Sequence, residues 1–181
     1  MPDTAVLVTD MMNNYRHPDA EPLAASAARI IEPLGELIHR ARARDDATVI
    51  YVNDNYGDFT AVWDDIVRDA RNGAHPELVE PILPTEDCLR LNKVRHSAFY
   101  ATPLDHLLNR LGVSTVIITG QVTEQCVLYT ALDAYVRHYD VVVPPDAVAH
   151  IDPALAEAAC EMMRRNMRAE LVAARDCLRE P

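Results

Sequence analysis

Five short runs of consecutive apolar, often β-branched residues punctuate this chain, and they constrain its fold more than any other feature. They are Ala5–Thr9, Thr48–Val52, Thr115–Thr119, Asp140–Val143 and Ala169–Val172. A strand with one wet face alternates apolar and polar residues. These runs do not alternate, so they predict strands buried on both faces, as in a parallel sheet. A weaker run, Cys88–Leu91, makes a sixth. Between them lie stretches with helical spacing: Leu23–Arg44, kinked or divided at Pro33; Ala61–Asn72; Pro103–Leu111, with Thr102 as N-cap and Gly112 as stop; Thr123–His138; and Pro153–Arg168, capped by Asp152. Alternating β and α elements imply right-handed crossovers. The expected fold class is α/β: a doubly wound, mostly parallel six-stranded sheet with helices on both faces, in a single domain over residues 1–181. Residues 54–87 hold little other regular pattern, which marks them as a functional excursion or cover.

The charge balance narrows the partners. With a formal net charge of −11, the surface repels phosphate backbones and anionic lipid, so neither nucleic acid nor a membrane is an expected partner. No apolar run approaches the ~20 residues that span a bilayer, and nothing resembles a targeting signal, so cytoplasmic residence is the default expectation. Cys88, Cys126, Cys160 and Cys177 are widely spaced and form no CxxC pair. They are expected to be thiols in that setting. Cys160 reads as core, and Cys177 as inert in a loose tail running from Arg175 to Pro181.

In an open α/β sheet, ligands bind outside the carboxyl ends of the strands. Asp10 ends the first run, Asn53 and Asp54 the second, Lys93 follows the weak third, and Gly120 to Cys126 follow the next. A carboxylate, an ammonium and a thiol thus come from three strands onto one rim. Cys126 falls in the first turn of a helix, where unpaired N–H groups and the positive helix end favour thiolate. Each residue also has an ordinary reading: Cys126 as a small buried apolar group, Asp10 as a helix cap, Lys93 as a surface lysine.

Three segments then carry a resemblance. Val6 to Asn13, with its aspartate at position 10, is similar to the first strand of the isochorismatase-like cysteine hydrolases. Lys93-Val94-Arg95-His96-Ser97-Ala98-Phe99 resembles their K-x-x-x-S-A-F segment, and Thr119 to Val127 their G-x-x-T-x-x-C-V region. That superfamily holds nicotinamidases, N-carbamoylsarcosine and ureidoacrylate amidohydrolases, biuret hydrolases and isochorismatases. The resemblance implies a Rossmann-like fold and a triad of Asp10 as proton acceptor, Lys93 as charged bridge and Cys126 as nucleophile, working through an acyl-enzyme. It also implies a cis peptide at Gln121–Val122, which turns the Val122 N–H toward an oxyanion beside the Cys126 N–H. It implies a homo-oligomer, dimer or tetramer, acting on a small-molecule substrate without a cofactor. Two departures narrow it. Nicotinamidases carry a D-x-H metal site after the second strand. This chain has Asn53-Asp54-Asn55 there and no histidine between His39 and His75, so no metal is expected. Isochorismatases proper lack the cysteine, so an amide, ureido or carbamoyl bond is the expected target.

Tyr15, Tyr56, Phe59, Trp63, Phe99 and Tyr129 are candidate pocket walls, with Phe59 and Trp63 four apart and able to share a helical face. Packing of the excursion onto the sheet is the competing reading. Asn13, Asn14, Asn53, Asn55, Gln121 and Gln125 can supply amide hydrogen bonds, or simply build loops. Arg95 can hold a substrate carboxylate, or sit solvated. His96 reads as a substrate contact or, more ordinarily, as a surface or interface histidine. A vinyl-ether hydrolase with an incidental Cys126, or a partner-binding domain on the same fold, are the alternatives to a cysteine amidohydrolase.

Overall fold

A computed structural model of the chain describes residues 2–178. Its centre is a sheet in which every pairing is parallel. The strands are β1 (Thr4–Thr9), β2 (Ala47–Asp54), β3 (Leu89–Lys93), β4 (Thr115–Gln121), β5 (Asp140–Val143), the two-residue β6 (Val148–Ala149) and β7 (Glu170–Leu171). Their order is β3-β2-β1-β4-β5-β7, with β6 paired to β4 off that path. The expected six strands are present, and β6 is the addition.

The unbroken apolar runs divide their side chains between two cores. Val6, Val8, Val49, Tyr51 and Ile117 face one, while Ala5, Leu7, Ile50, Val52, Val116 and Ile118 face the other. The first core is closed by α1 (Ala20–Ala27), α2 (Ile31–Arg42) and α3 (Trp63–Arg71). The second is closed by α4 (Leu104–Leu111), α5 (Leu128–Val136) and α6 (Pro153–Asn166). In α2 the buried residues Leu34, Leu37, Ile38 and Ala41 form one helical stripe. Each fully buried leucine contributes about 1.5–3 kcal/mol.

Several expected boundaries move for local reasons. The stretch expected over Leu23–Arg44 is two helices, broken at Ala28–Ile30 rather than at Pro33. Pro33 lies in the first turn of α2, where its missing N–H leaves no bond unmade. Thr102 Oγ1 accepts from Leu104 N at 3.2 Å, so it caps α4 as expected although the helix proper begins one residue later. Gly112, at φ +78°, ends that helix in the left-handed turn expected of glycine. Asp152 accepts from Ala154 N and Leu155 N and caps α6. The tail expected from Arg175 is docked at its start. Ala174–Asp176 forms a 3₁₀ turn, and the Arg40 guanidinium donates to the carbonyls of Ala174 and Arg175. The rest of that stretch, 179–181, lies outside the described residues. Among the described residues no helix is long and apolar enough to cross a membrane.

The chain leaves β1 toward β2 and β3, then returns to the other side of β1 as β4. This reversal opens a crevice at the carboxyl ends of β1 and β4. The two ends pack closely. A Cβ on Gly120 would lie 2.1 Å from the Thr9 carbonyl oxygen, and Gly120 has φ +99°, so only glycine fits there.

Candidate active site

Asp10 leaves β1 with φ +54°, an unusual left-handed turn for a residue with a side chain. The turn aims its carboxylate along the strand ends rather than into a helix cap. Asp54, at the end of β2, donates its backbone N–H to Asp10 Oδ1 at 2.7 Å. Lys93 ends β3 in register with Asp54. It is 0% exposed, which removes the surface-lysine reading. Its ammonium lies 2.9 Å from Asp10 Oδ2, 3.2 Å from Asp54 Oδ2 and 3.7 Å from Cys126 Sγ. The three groups expected from three strands therefore meet, and a fourth, Asp54, joins them.

Cys126 stands in a π-helical turn, Thr123–Val127, between β4 and α5. The Val127 N–H reaches the Val122 carbonyl, and Thr123 Oγ1 donates to the Ala149 carbonyl, which fastens the turn to β6. Wide turns of this kind gather at functional sites. The peptide bond Gln121–Val122 is cis. Gln121 is buried. Its amide nitrogen donates to the Asp10 carbonyl and its oxygen accepts from the Tyr15 hydroxyl, so it ties the β1 and β4 ends together.

A cavity of about 680 Å³ opens over these residues, lined by Asp10, Asp54, Gln121, Val122 and Cys126 at its floor. The thiol therefore faces a cavity and is not sealed in an apolar interior. The electrostatics set two influences on Cys126 against each other. Burial first, and then the Asp10 carboxylate, push the Cys126 thiol well above the ordinary cysteine range, against the pull of Lys93. The helix start and Lys93, which favour thiolate, are thus opposed by burial and by Asp10. Burial also raises the Asp10 carboxyl, opposed by Lys93, while the surrounding anions raise the Lys93 ammonium despite its own desolvation. A thiol, a carboxyl group and an ammonium in contact with one another can move a proton from sulfur to oxygen as the sulfur attacks a carbonyl.

A model of the isochorismatase domain matches residues 4–176. The chain belongs to the isochorismatase family. An uncharacterized isochorismatase family protein of Bacillus subtilis strain 168, YaaI, is 36% identical over 169 residues, covering 93% of each chain. Ureidoacrylate amidohydrolase RutB of Klebsiella pneumoniae is 36% identical over 90 residues, which is 50% of this chain and 38% of that one. Among solved structures, N-carbamoylsarcosine amidase from Thermoplasma acidophilum superposes with a TM-score of 0.77 at 28% identity, covering 99% of this chain and 100% of that one. This isochorismatase-family hydrolase thus has amidohydrolase relatives.

The candidate walls divide. Tyr56, Phe59 and Arg95 line the cavity, as do Asn13, Asn55 and Gln125. Four expected substrate contacts do not. Phe99 is buried in the core on the other face of the sheet, 5.9 Å from the Tyr139 ring and under the Arg137 guanidinium, because the Ser97–Phe99 turn folds back onto α5 through Ala98 N and Thr130 Oγ1. Trp63 packs edge-on against Tyr51. It begins α3, and Phe59 lies in the turns before that helix, so the two share no helical face. Tyr15 is buried behind Gln121. Asn53 is spent on the backbone: its side chain accepts from Met12 N and donates to Met12 O, fixing the chain just past Asp10. Asn14 lies on the surface against Asp69, and Tyr129 lies behind His96, its ring 5.4 Å away. His96 comes closer to the chemistry than its surface reading allowed. It is exposed at the cavity mouth with Nδ1 3.9 Å from Cys126 Sγ. Asp54 was named only as a strand-end polar group. Its register beside Lys93 in adjacent parallel strands was the signal that could have found it. Among the described residues no group of three His, Cys, Asp or Glu side chains is arranged to hold a metal ion, and Asp54 is paired with Lys93.

Proposed function

We propose that this isochorismatase-family hydrolase is a cysteine amidohydrolase that cleaves a C–N bond of a small amide, ureido or carbamoyl compound through a covalent acyl-enzyme. The observation that carries the reading is the buried Lys93 ammonium within 2.9 Å of Asp10 and 3.7 Å of Cys126, two residues that line one cavity. Relatives named for ureidoacrylate and N-carbamoylsarcosine cleavage support the bond type.

In this reading Asp10 takes the Cys126 proton as the sulfur adds to the substrate carbonyl carbon. The N–H groups of Val122 and Cys126 receive the oxyanion. Asp10 passes the proton to the leaving nitrogen, the C–N bond breaks, and a thioester remains on Cys126. Asp10 then draws a proton from water, which adds to the thioester. The acid departs, and the proton returns to sulfur. Lys93 holds the sulfur and the carboxylate in line and balances the charge passed between them. Because burial and Asp10 both favour the protonated sulfur, Asp10 is a base in the attacking step and not merely an orienting group.

Tyr56, Phe59 and Arg95 are the proposed substrate contacts. A homo-oligomer in a cytoplasmic setting belongs to the same reading. Tyr129, Leu132 and Val136 expose one stripe of α5, which supports the first, and four free thiols support the second. The test is a panel of small amides, ureides and carbamates assayed for ammonia or amine release, with isochorismate as a control. Release from at least one C–N substrate that stops in Cys126→Ser supports the proposal. Cleavage of isochorismate alone, unaffected by Cys126→Ser, overturns it.

A further inference from the structure

Asp54 is used by none of the steps above, yet its carboxylate faces the same ammonium as Asp10. Three acceptors from three elements surround Lys93 Nζ: Asp10 Oδ2 from β1, Asp54 Oδ2 from β2 and Cys126 Sγ from the π-turn. An ammonium has three donors, so the set is complete without water. Asp54 is itself held, since its Oδ1 accepts the Tyr56 N–H at 2.8 Å and its own N–H goes to Asp10 Oδ1. We propose that Asp54 is a positioning residue, a permanent second counter-ion that keeps Lys93 charged and aimed at Cys126 while Asp10 is neutral.

This role for Asp54 rests on the amidohydrolase reading and follows from the charge moved through its cycle. The cluster brings two carboxyl groups, Asp10 and Asp54, to one Lys93 ammonium and one Cys126 sulfur. When Asp10 accepts the sulfur proton, it stops being the partner of Lys93. A wholly buried ammonium without an anion readily gives up its proton, because desolvation penalises the charged form. Asp54 takes no part in that transfer, so it still faces the ammonium at 3.2 Å at that moment. Its side chain is 24% exposed. Water can therefore reach it, so its place beside Lys93 does not depend on Asp10. Other charged or titratable groups around the cavity are Arg95 and His96 after β3, His17 and Asp19 before α1, and Tyr56 after β2. Among the contacts described, none of them reaches Lys93 Nζ.

A second anion beside Lys93 also means that forming a thiolate adds negative charge to an already negative cluster. Removing it makes the site lose a proton at lower pH, whichever of Lys93 and Cys126 releases it. The test compares wild type with Asp54→Asn and Asp54→Glu, following carbamidomethylation of Cys126 by iodoacetamide across pH, with peptide mapping to separate the four thiols. The midpoint in Asp54→Asn is expected about one pH unit below wild type, giving roughly tenfold faster labelling below both midpoints. Asp54→Glu keeps the charge and is expected to return the midpoint most of the way. An unmoved midpoint in Asp54→Asn, or equal shifts in both variants, overturns the proposal. This readout needs no substrate. A panel that yields no turnover therefore refutes the amidohydrolase reading while leaving the charge coupling measurable. Once a substrate is known, the alkaline limb of kcat should also move down in Asp54→Asn.

Discussion

Replacing Lys93 by methionine keeps most of the side-chain volume and removes the charge on which the cluster depends. At 2.9 Å and an effective dielectric of about 20, the Lys93–Asp10 attraction is about 6 kcal/mol before desolvation is subtracted. Removing one partner of a buried pair typically costs about 3–5 kcal/mol, because the other charge is left unpaired. The lower end applies here, since Asp54 is partly solvated and methionine recovers apolar contacts. The loss must depend on pH. Without the ammonium, Asp10 in the folded variant has its pKa raised further above the unfolded value of about 3.9. The folded state then binds more protons than the unfolded state through the window above that value, so stability falls as pH rises through it. We expect Lys93→Met to cost about 3 kcal/mol at pH 8 and about 1 kcal/mol at pH 5, where Asp10 takes a proton. Urea unfolding followed by the fluorescence of Trp63, the one tryptophan, measures both. An equal loss at the two pH values, or none at pH 8, would show that Lys93 and Asp10 are not coupled as described.

Three further outcomes follow from particular contacts. Gly120→Ala places a Cβ against the Thr9 backbone at a positive φ and is expected to destabilise by more than about 2 kcal/mol; unchanged denaturant midpoints would contradict the close packing of β1 and β4. Phe59 is 80% exposed yet lines the cavity, so Phe59→Ala should change stability by less than about 0.5 kcal/mol and raise KM severalfold with kcat nearly unchanged. A fall in kcat alone would remove it from substrate binding. Burial raises the Asp10 carboxyl, and only its ionised form can accept the thiol proton. The acid limb of kcat/KM is therefore expected above the usual aspartate value of about 3.9, with activity lost as pH falls through it. A profile flat down to about pH 4 would exclude Asp10 as the base.

Position along the chain and direction of a side chain differ in how far sequence reveals them. Strands buried on both faces betray themselves by unbroken apolar runs, and the carboxyl-end rule then locates Asp10, Lys93 and Cys126 without coordinates. What stayed hidden depends on direction rather than position. Phe99 is one turn from Lys93 in sequence, but the chain reverses at Ser97 and buries the ring on the opposite face. Asn53 and Tyr15 have the chemistry of ligand contacts, yet their polar atoms are consumed by Met12 and Gln121. The thiolate expectation weighed the helix end and Lys93, which sequence reveals. It missed the burial and the Asp10 carboxylate that outweigh them, because burial of a single sulfur has no sequence signature. The helix break at Ala28–Ile30 lacks a proline or glycine and was invisible for the same reason.

Whether Cys126 carries the acyl group can be seen directly by quenching a turnover mixture in acid and weighing the intact protein. An adduct of the substrate's acyl mass, mapped to the Cys126 peptide, released by hydroxylamine and missing from Cys126→Ala, is the result expected here. Steady release of amine or ammonia by Cys126→Ala at the wild-type rate, with no adduct in either protein, would contradict the account.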